Sequence, residues 1–226
     1  MPRITDYAFL FQNNSSTTSV NNIKLSSLSS PGGLKQLKNA GINVNSKQFK
    51  AALAHMQKAS AQSGANYTNL QAIKNMMSNF DSDGDMIDAT TGLAGTIVTN
   101  ETAEKSRKIV SISEDTRKYV FEELKKEFIN EKGINNGDTT NRNEWYTRVQ
   151  RETAKSDRLA ASHTLSQYEK QYRKAMQDAI RKSDSSWTSG KSFDASIIEN
   201  LSFENVEKRI KQSGNKLHYQ SIDISL

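Results

Sequence analysis

The chain has no cysteine, only two prolines in 226 residues, and no apolar run near the length of a membrane span. Without thiols, disulfides, thiolate metal sites and cysteine nucleophiles are excluded, and the chain suits either redox compartment. Few prolines leave helices free to run long. The opening, Met1 to Phe11, holds one basic residue and a short apolar patch. It lacks the apolar run and small-residue cleavage site of a secretory signal, so the expectation is no membrane span and, by default, a cytoplasmic protein. Apolar residues are also scarce at 35%, while charged residues are ordinary at 25%. Ser, Asn, Thr and Gln fill the gap, a pattern of a folded core with long polar segments.

Net charge is +6, which permits a polyanionic partner. The basic residues are scattered, however. Arg151 to Lys182 carries eight Lys/Arg against four Asp/Glu, alternating along one helical pattern. That favours a solvated helix face and argues against nucleic acid as a partner.

The fold class expected is mainly α: a helical domain over 34–226 with a small β element, preceded by an extended N-terminal arm over 1–33. The arm is rich in Ser, Asn and Thr and closes with Pro31-Gly32-Gly33. Its tip holds Ile4, Tyr7, Phe9, Leu10 and Phe11. Such a cluster needs a groove, in its own molecule or in a neighbouring copy, and the expectation is self-association through the arm.

Helical periodicity then recurs. Leu34, Leu37 and Ala40 stop at Gly41, and Ser46 caps a helix carrying Phe49, Leu53 and Met56 that ends at Gly64. A third begins near Thr68 with Leu70, Ile73, Met76, Met77 and Phe80. Gly95–Thr99 and Arg107–Ile112 are short and β-branched, and predict two strands. Ser113 caps a helix with Val120, Phe121, Leu124 and Phe128 inward, closed by Gly133, and a further helix carries Trp145 and Val149. Thr164 and Gln167 have capping-box form ahead of Tyr168, Tyr172, Ala175, Met176 and Ala179. Ser202 starts a short helix with Val206 and Ile210, and Leu217, Tyr219, Ile222 and Ile224 predict a terminal strand. One core is expected, around Phe49, Leu53, Ile73, Phe121, Leu124, Phe128, Trp145, Tyr168, Tyr172 and Met176.

One segment holds metal chemistry. Asn79-Phe80-Asp81-Ser82-Asp83-Gly84-Asp85-Met86-Ile87-Asp88 is similar to the opening of an EF-hand or dockerin-type calcium loop. Calcium takes six to eight oxygens, and alternate carboxylates in a tight turn supply several. The resemblance implies calcium at Asp81, Asp83 and Asp85, with Asp88 and the carbonyl of Ile87 as further ligands. The sequence departs from the family in three ways. Met86 stands where the family has Gly, the loop is one residue shorter, and Thr91 or Gly92 occupies the place of the bidentate Glu. The alternative is an Asp/Gly turn ending the third helix. Lys74 and Lys105 are the nearest basic residues in sequence to offset four aspartates within eight residues.

Catalytic patterns are weak. His55, His163 and His218 have no metal-ligand spacing, and no triad or nucleophile-elbow context surrounds any Ser. Asp138 and Glu144 suit loop-turn and first-turn roles better than an acid–base pair. Trp187-Thr188-Ser189-Gly190 resembles the Trp-x-Gly turn of small secreted helical-hairpin proteins, in a chain more than twice their usual length. Across most of the chain, Arg3-Ile4-Thr5-Asp6-Tyr7, Gly137-Asp138-Thr139-Thr140 and Asp157-Arg158-Leu159-Ala160-Ala161 resemble an uncharacterised family of bacterial proteins. That resemblance implies membership without an activity. The expectation is a non-enzymatic structural or self-assembling protein, stabilised by calcium. A calcium-dependent protein-interaction module stands second and an enzyme of unrecognised type third.

Overall fold

Side-chain caps start five of the helices, at Ser30, Ser46, Asn69, Ser113 and Ser202. The computed structural model describes residues 23–99, 102–135 and 140–221, and the chain divides into two compact units, one ending at Ile97 and the next starting at Val98. The expected arm residues 1–22 lie outside the described residues, as do Ile222 and Ile224.

The first unit runs β1 (Ile23–Lys24), a 3-10 turn Leu25–Ser27, α1 (Pro31–Asn39), α2 (Lys47–Ser63), β2 (Tyr67–Thr68) and α3 (Leu70–Ser78). Pro31 takes the first turn of α1, where a missing N–H costs nothing, and the Ser30 hydroxyl accepts from the Gly33 N–H. Ser46 and Asn69 do the same for Phe49 and Ala72 at the starts of α2 and α3. β1 pairs antiparallel with β2, Ile23 opposite Thr68. Leu25, Leu28, Leu37, Phe49, Met56, Ile73 and Met76 make the core. Residues 23–33 therefore belong to the packed unit rather than to a polar arm. Ile23, Leu25 and Leu28 are the apolar residues that hold them there.

The second unit contains α4 (Glu114–Asn130), α5 (Thr140–Glu152), α6 (Arg158–Ser183), α7 (Ser196–Glu199), α8 (Phe203–Glu207), β3 (Ile210–Ser213) and β4 (Lys216–Tyr219). The 26-residue α6 is its axis and packs against α4, α5 and β4. Leu165, Tyr172, Ala175, Met176 and Ile180 meet Phe121, Leu124 and Phe128 of α4 and Trp145 and Val149 of α5. Phe121 sets its edge against Tyr172 at 5.1 Å and lies 5.7 Å from Phe203. Burying each such side chain contributes about 1.5–3 kcal/mol. Two units carry two cores, so the single expected core divides. Phe49 and Ile73 lie in the first and Phe121, Trp145, Tyr172 and Met176 in the second.

Three local expectations are corrected. Segments 95–99 and 107–112 form no strand. Instead, the Val110 N–H is taken by the Thr164 hydroxyl, and the Ile112 carbonyl by Arg117. Side chains thus replace a ladder there. Thr164 is no cap: it lies inside α6, fully buried, with its hydroxyl donating to the Ala160 carbonyl at 2.8 Å. Ile210 leaves the helix for β3, which pairs with β4 from Ile210↔Tyr219 to Ser213↔Lys216 around Gly214. Leu217 and Tyr219 point inward on β4, as the alternation predicted.

Gly133 closes α4 at φ 74°, where an added Cβ would sit 2.8 Å from the Trp187 ring. Gly133→Ala should therefore cost about 2–4 kcal/mol, combining left-handed strain with overpacking. Gly41→Ala has the strain (φ 80°) but nothing within 4 Å, and should cost about 1–2 kcal/mol. Chemical denaturation of the two variants checks the difference.

Candidate functional site

The aspartate loop is closed by its own first residue. One carboxylate oxygen of Asp81 accepts from the N–H groups of Asp83 (3.0 Å) and Asp85 (2.9 Å). Backbone bonds from Asp81 to the Asp85 carbonyl and from Gly84 to the Asp81 carbonyl tighten the turn, with Gly84 at φ 86°. Phe80 and Met86 bridge its base. Asp88 belongs to the following turn, where its Oδ1 accepts from Thr90 (2.7 Å) and Thr91 (3.3 Å). Ile87 donates to the Asn79 carbonyl and bridges to Ala94.

The loop also has a seat. The Gln48 amide donates to the carbonyls of Met77 (3.0 Å) and Phe80 (2.8 Å), tying it to α2. Gly84 lies so close over the first turn of α2 that a Cβ would come 3.0 Å from the Lys47 carbonyl oxygen. A helix N-terminus favours carboxylates, and Lys47 and Lys50 belong to the same end of α2. Among the described residues, no group of three or more His, Asp or Glu side chains is placed to hold a metal ion. The turn thus brings Asp81, Asp83 and Asp85 into one loop and leaves Asp88 to the next.

The histidines are dispersed. His55 sits edge-on to Phe80 at 5.9 Å, and burial, followed by Lys58, lowers its pKa. His163 lies 3.4 Å from the Asn215 carbonyl, and His218 pairs with Lys211 across the hairpin. Asp138 is outside the described residues, while Glu144 accepts from the Tyr119 hydroxyl at 3.4 Å. Trp187 is a core residue whose indole N–H donates to the Lys191 carbonyl at 2.9 Å.

The densest ionisable cluster joins three helices. Arg142 of α5 donates to Glu169 of α6 and to Glu127 of α4, both at 2.8 Å. Arg173 of α6 closes the ring, with Nη2 on Glu127 and Nε 3.7 Å from Glu169. All four side chains are only 10–13% exposed. Tyr146 bonds to Glu169, and burial first, then the Glu169 charge, pushes its pKa up. A second knot is Glu207, which takes the Arg117 guanidinium at 3.1 Å and the Tyr172 hydroxyl. A third is Glu152. Its burial is outweighed by hydrogen bonds from Thr116, Ser113 and Arg148, which hold its pKa low. Each carboxylate faces a guanidinium, and arginine does not release its proton at ordinary pH. Each cluster joins the helices that its members come from.

The ring was missed in sequence, although it left a trace. Glu169 and Arg173 are one turn apart, between the apolar positions Leu165, Tyr172 and Met176. Glu127 likewise adjoins Phe128. Charges spaced by four along an apolar stripe signal a buried pair.

These features define a helical protein of a family without an assigned activity. The chain belongs to the family described as domain of unknown function DUF3879, whose model matches residues 42–226. No curated protein and no solved structure matches it.

Two outcomes follow. Asp81→Ala, measured in calcium-free buffer, should cost about 1–3 kcal/mol, because two backbone N–H groups lose their acceptor. Asp81→Asn should recover most of that, and Asp83→Ala should cost little. Alkaline titration tests the buried phenols. Tyr146 and Tyr172 both have pKa values raised above the ordinary 10, by burial foremost. A raised folded pKa leaves stability intact below the unfolded value. It is then lost above about pH 10, by about 1.4 kcal/mol per pH unit for each group. Absorbance at the phenolate band should show these two tyrosines ionising together with the loss of helical circular dichroism.

Proposed function

We propose that the chain is a non-enzymatic structural protein that associates with copies of itself. The observation that carries this reading is the division of charge in the first unit. Seven lysines, Lys24, Lys35, Lys38, Lys47, Lys50, Lys58 and Lys74, and no acidic residue fall in 23–80, while four aspartates follow within 81–88. All seven lysines are exposed. A stretch from 23 to 97 whose charges are all lysine up to residue 80 and all aspartate after it offers both signs to another copy, and head-to-tail contacts between opposite charges propagate. The apolar residues Ile4 to Phe11 of the arm supply a second contact, as the composition suggests. A non-enzymatic role is supported by the ion-pair clusters, each closed by arginine.

A calcium-dependent interaction module is the second reading, supported by the alternate spacing of Asp81, Asp83 and Asp85. Light scattering on the full chain separates the two. Self-association predicts a mass above the monomer that rises with concentration. It should weaken on deletion of residues 1–22 and at roughly 0.5 M salt, where the Debye length is only a few Å. A monomer at every concentration overturns it. The calcium module predicts an assembly that a chelator disperses and calcium restores.

A further inference from the structure

We propose that the exposed face of α6 binds an acidic peptide segment in extended conformation, an inference that rests on the protein–protein role above and names the chemistry of one partner. A groove of about 600 Å³ follows this face, lined among others by Asn135, Ser166, Lys170, Lys174, Gln177 and Arg181.

Its charge is unbalanced. Two carboxylates also line the groove: Glu169 is paired in the buried ring, while Asp178 accepts from the Ser221 hydroxyl and keeps its charge, so Lys170, Lys174 and Arg181 leave an excess of two positive charges. Lys170 and Arg181 are exposed and have no carboxylate partner among the described residues. Lys174 reaches only the Tyr219 carbonyl, at 3.4 Å. Three cations therefore stand in a row on one helix face. Behind them Arg173, also on the groove, keeps a buried Nε with no hydrogen-bond partner.

The row has a length. At 1.5 Å per residue, Lys170 and Lys174 lie about 6 Å apart along the axis, and Lys174 and Arg181 about 10 Å. An extended peptide advances about 3.3 Å per residue, so acidic residues two apart match the first interval and three apart the second. The neutral lining favours peptide over a simple phosphate. The amides of Asn135 and Gln177 each offer a donor and an acceptor, which a peptide backbone uses in full and a phosphate does not. One donor of the neighbouring strand edge is already used, since the Gln171 side chain accepts the Tyr219 N–H at 2.9 Å.

The test is fluorescence anisotropy on the full chain with a labelled glutamate-rich peptide about ten residues long, its acids placed at those intervals. Saturable binding is expected, weakening with salt. Lys170→Gln and Arg181→Gln should each weaken it about tenfold or more, and Lys170→Arg should retain it. Lys35→Gln, on α1, should leave it unchanged. No saturable binding, or equal weakening by Lys35→Gln, overturns the inference. So does displacement of the peptide by inorganic phosphate at equal charge, or tighter binding of an oligonucleotide. Mass measured on the same samples separates the two claims. A self-associating chain that ignores the peptide removes this inference alone, whereas a monomer that binds it removes only the self-association.

Discussion

Two carboxylates and two guanidiniums alternate around a closed ring where α4, α5 and α6 meet, and the second unit is arranged around that alternation. Glu127, Arg142, Glu169 and Arg173 are each nearly withdrawn from water. Removing a charge from water costs several kcal/mol unless an opposite charge replaces the lost hydration with good geometry. The ring meets that condition only when the three helices take one relative register. A slip of one turn on any of them would leave a carboxylate or a guanidinium unmatched. Hydrophobic burial of Phe121, Phe128, Trp145, Tyr172 and Met176 drives the helices together. The ring selects which packing they adopt.

Helix α6 makes this possible by presenting three different surfaces along 26 residues. Leu165, Tyr172, Ala175, Met176 and Ile180 enter the core, Glu169 and Arg173 complete the ring, and Lys170, Lys174 and Arg181 face outward. The ring also affects the outward face. It neutralises Glu169 and Arg173 internally and leaves Lys170, Lys174 and Arg181, against Asp178, to set the groove's charge. Stability and binding thus occupy adjacent stripes of one helix.

Much of the fold was legible because helix periodicity and capping are local. Ser46, Gly64, Thr68, Ser113 and Gly133 mark helix ends that the structure places within a residue or two of expectation. The aspartate loop was legible as a turn for the same reason. What it rests on was not, since α2 begins more than thirty residues before the loop. The β-branched segments 95–99 and 107–112 misled because strand propensity requires a partner edge; in the second, Thr164 and Arg117 met the backbone groups instead, and Thr99 of the first bonds to Thr102. The capping-box letters at Thr164 and Gln167 misled because the helix had already begun, six residues earlier, at Arg158. Apart from Glu169 and Arg173, one turn apart, the ring's contacts join residues 15 to 46 apart in sequence, a relation no local pattern encodes. The division into two units escaped for a related reason, since nothing local distinguishes the helices of one core from those of the other.

The claim that the ring fixes the packing of α4, α5 and α6 is tested most directly by a double-mutant cycle on Arg142 and Glu169. Stability would be measured by chemical denaturation of Arg142→Met, Glu169→Met and the double variant. Each single change should cost about 3–5 kcal/mol by stranding buried charge. The double variant should cost at least about 2 kcal/mol less than the sum, because neither charge then lacks its partner. Single costs below about 1 kcal/mol, or additivity within about 0.5 kcal/mol, would contradict the account.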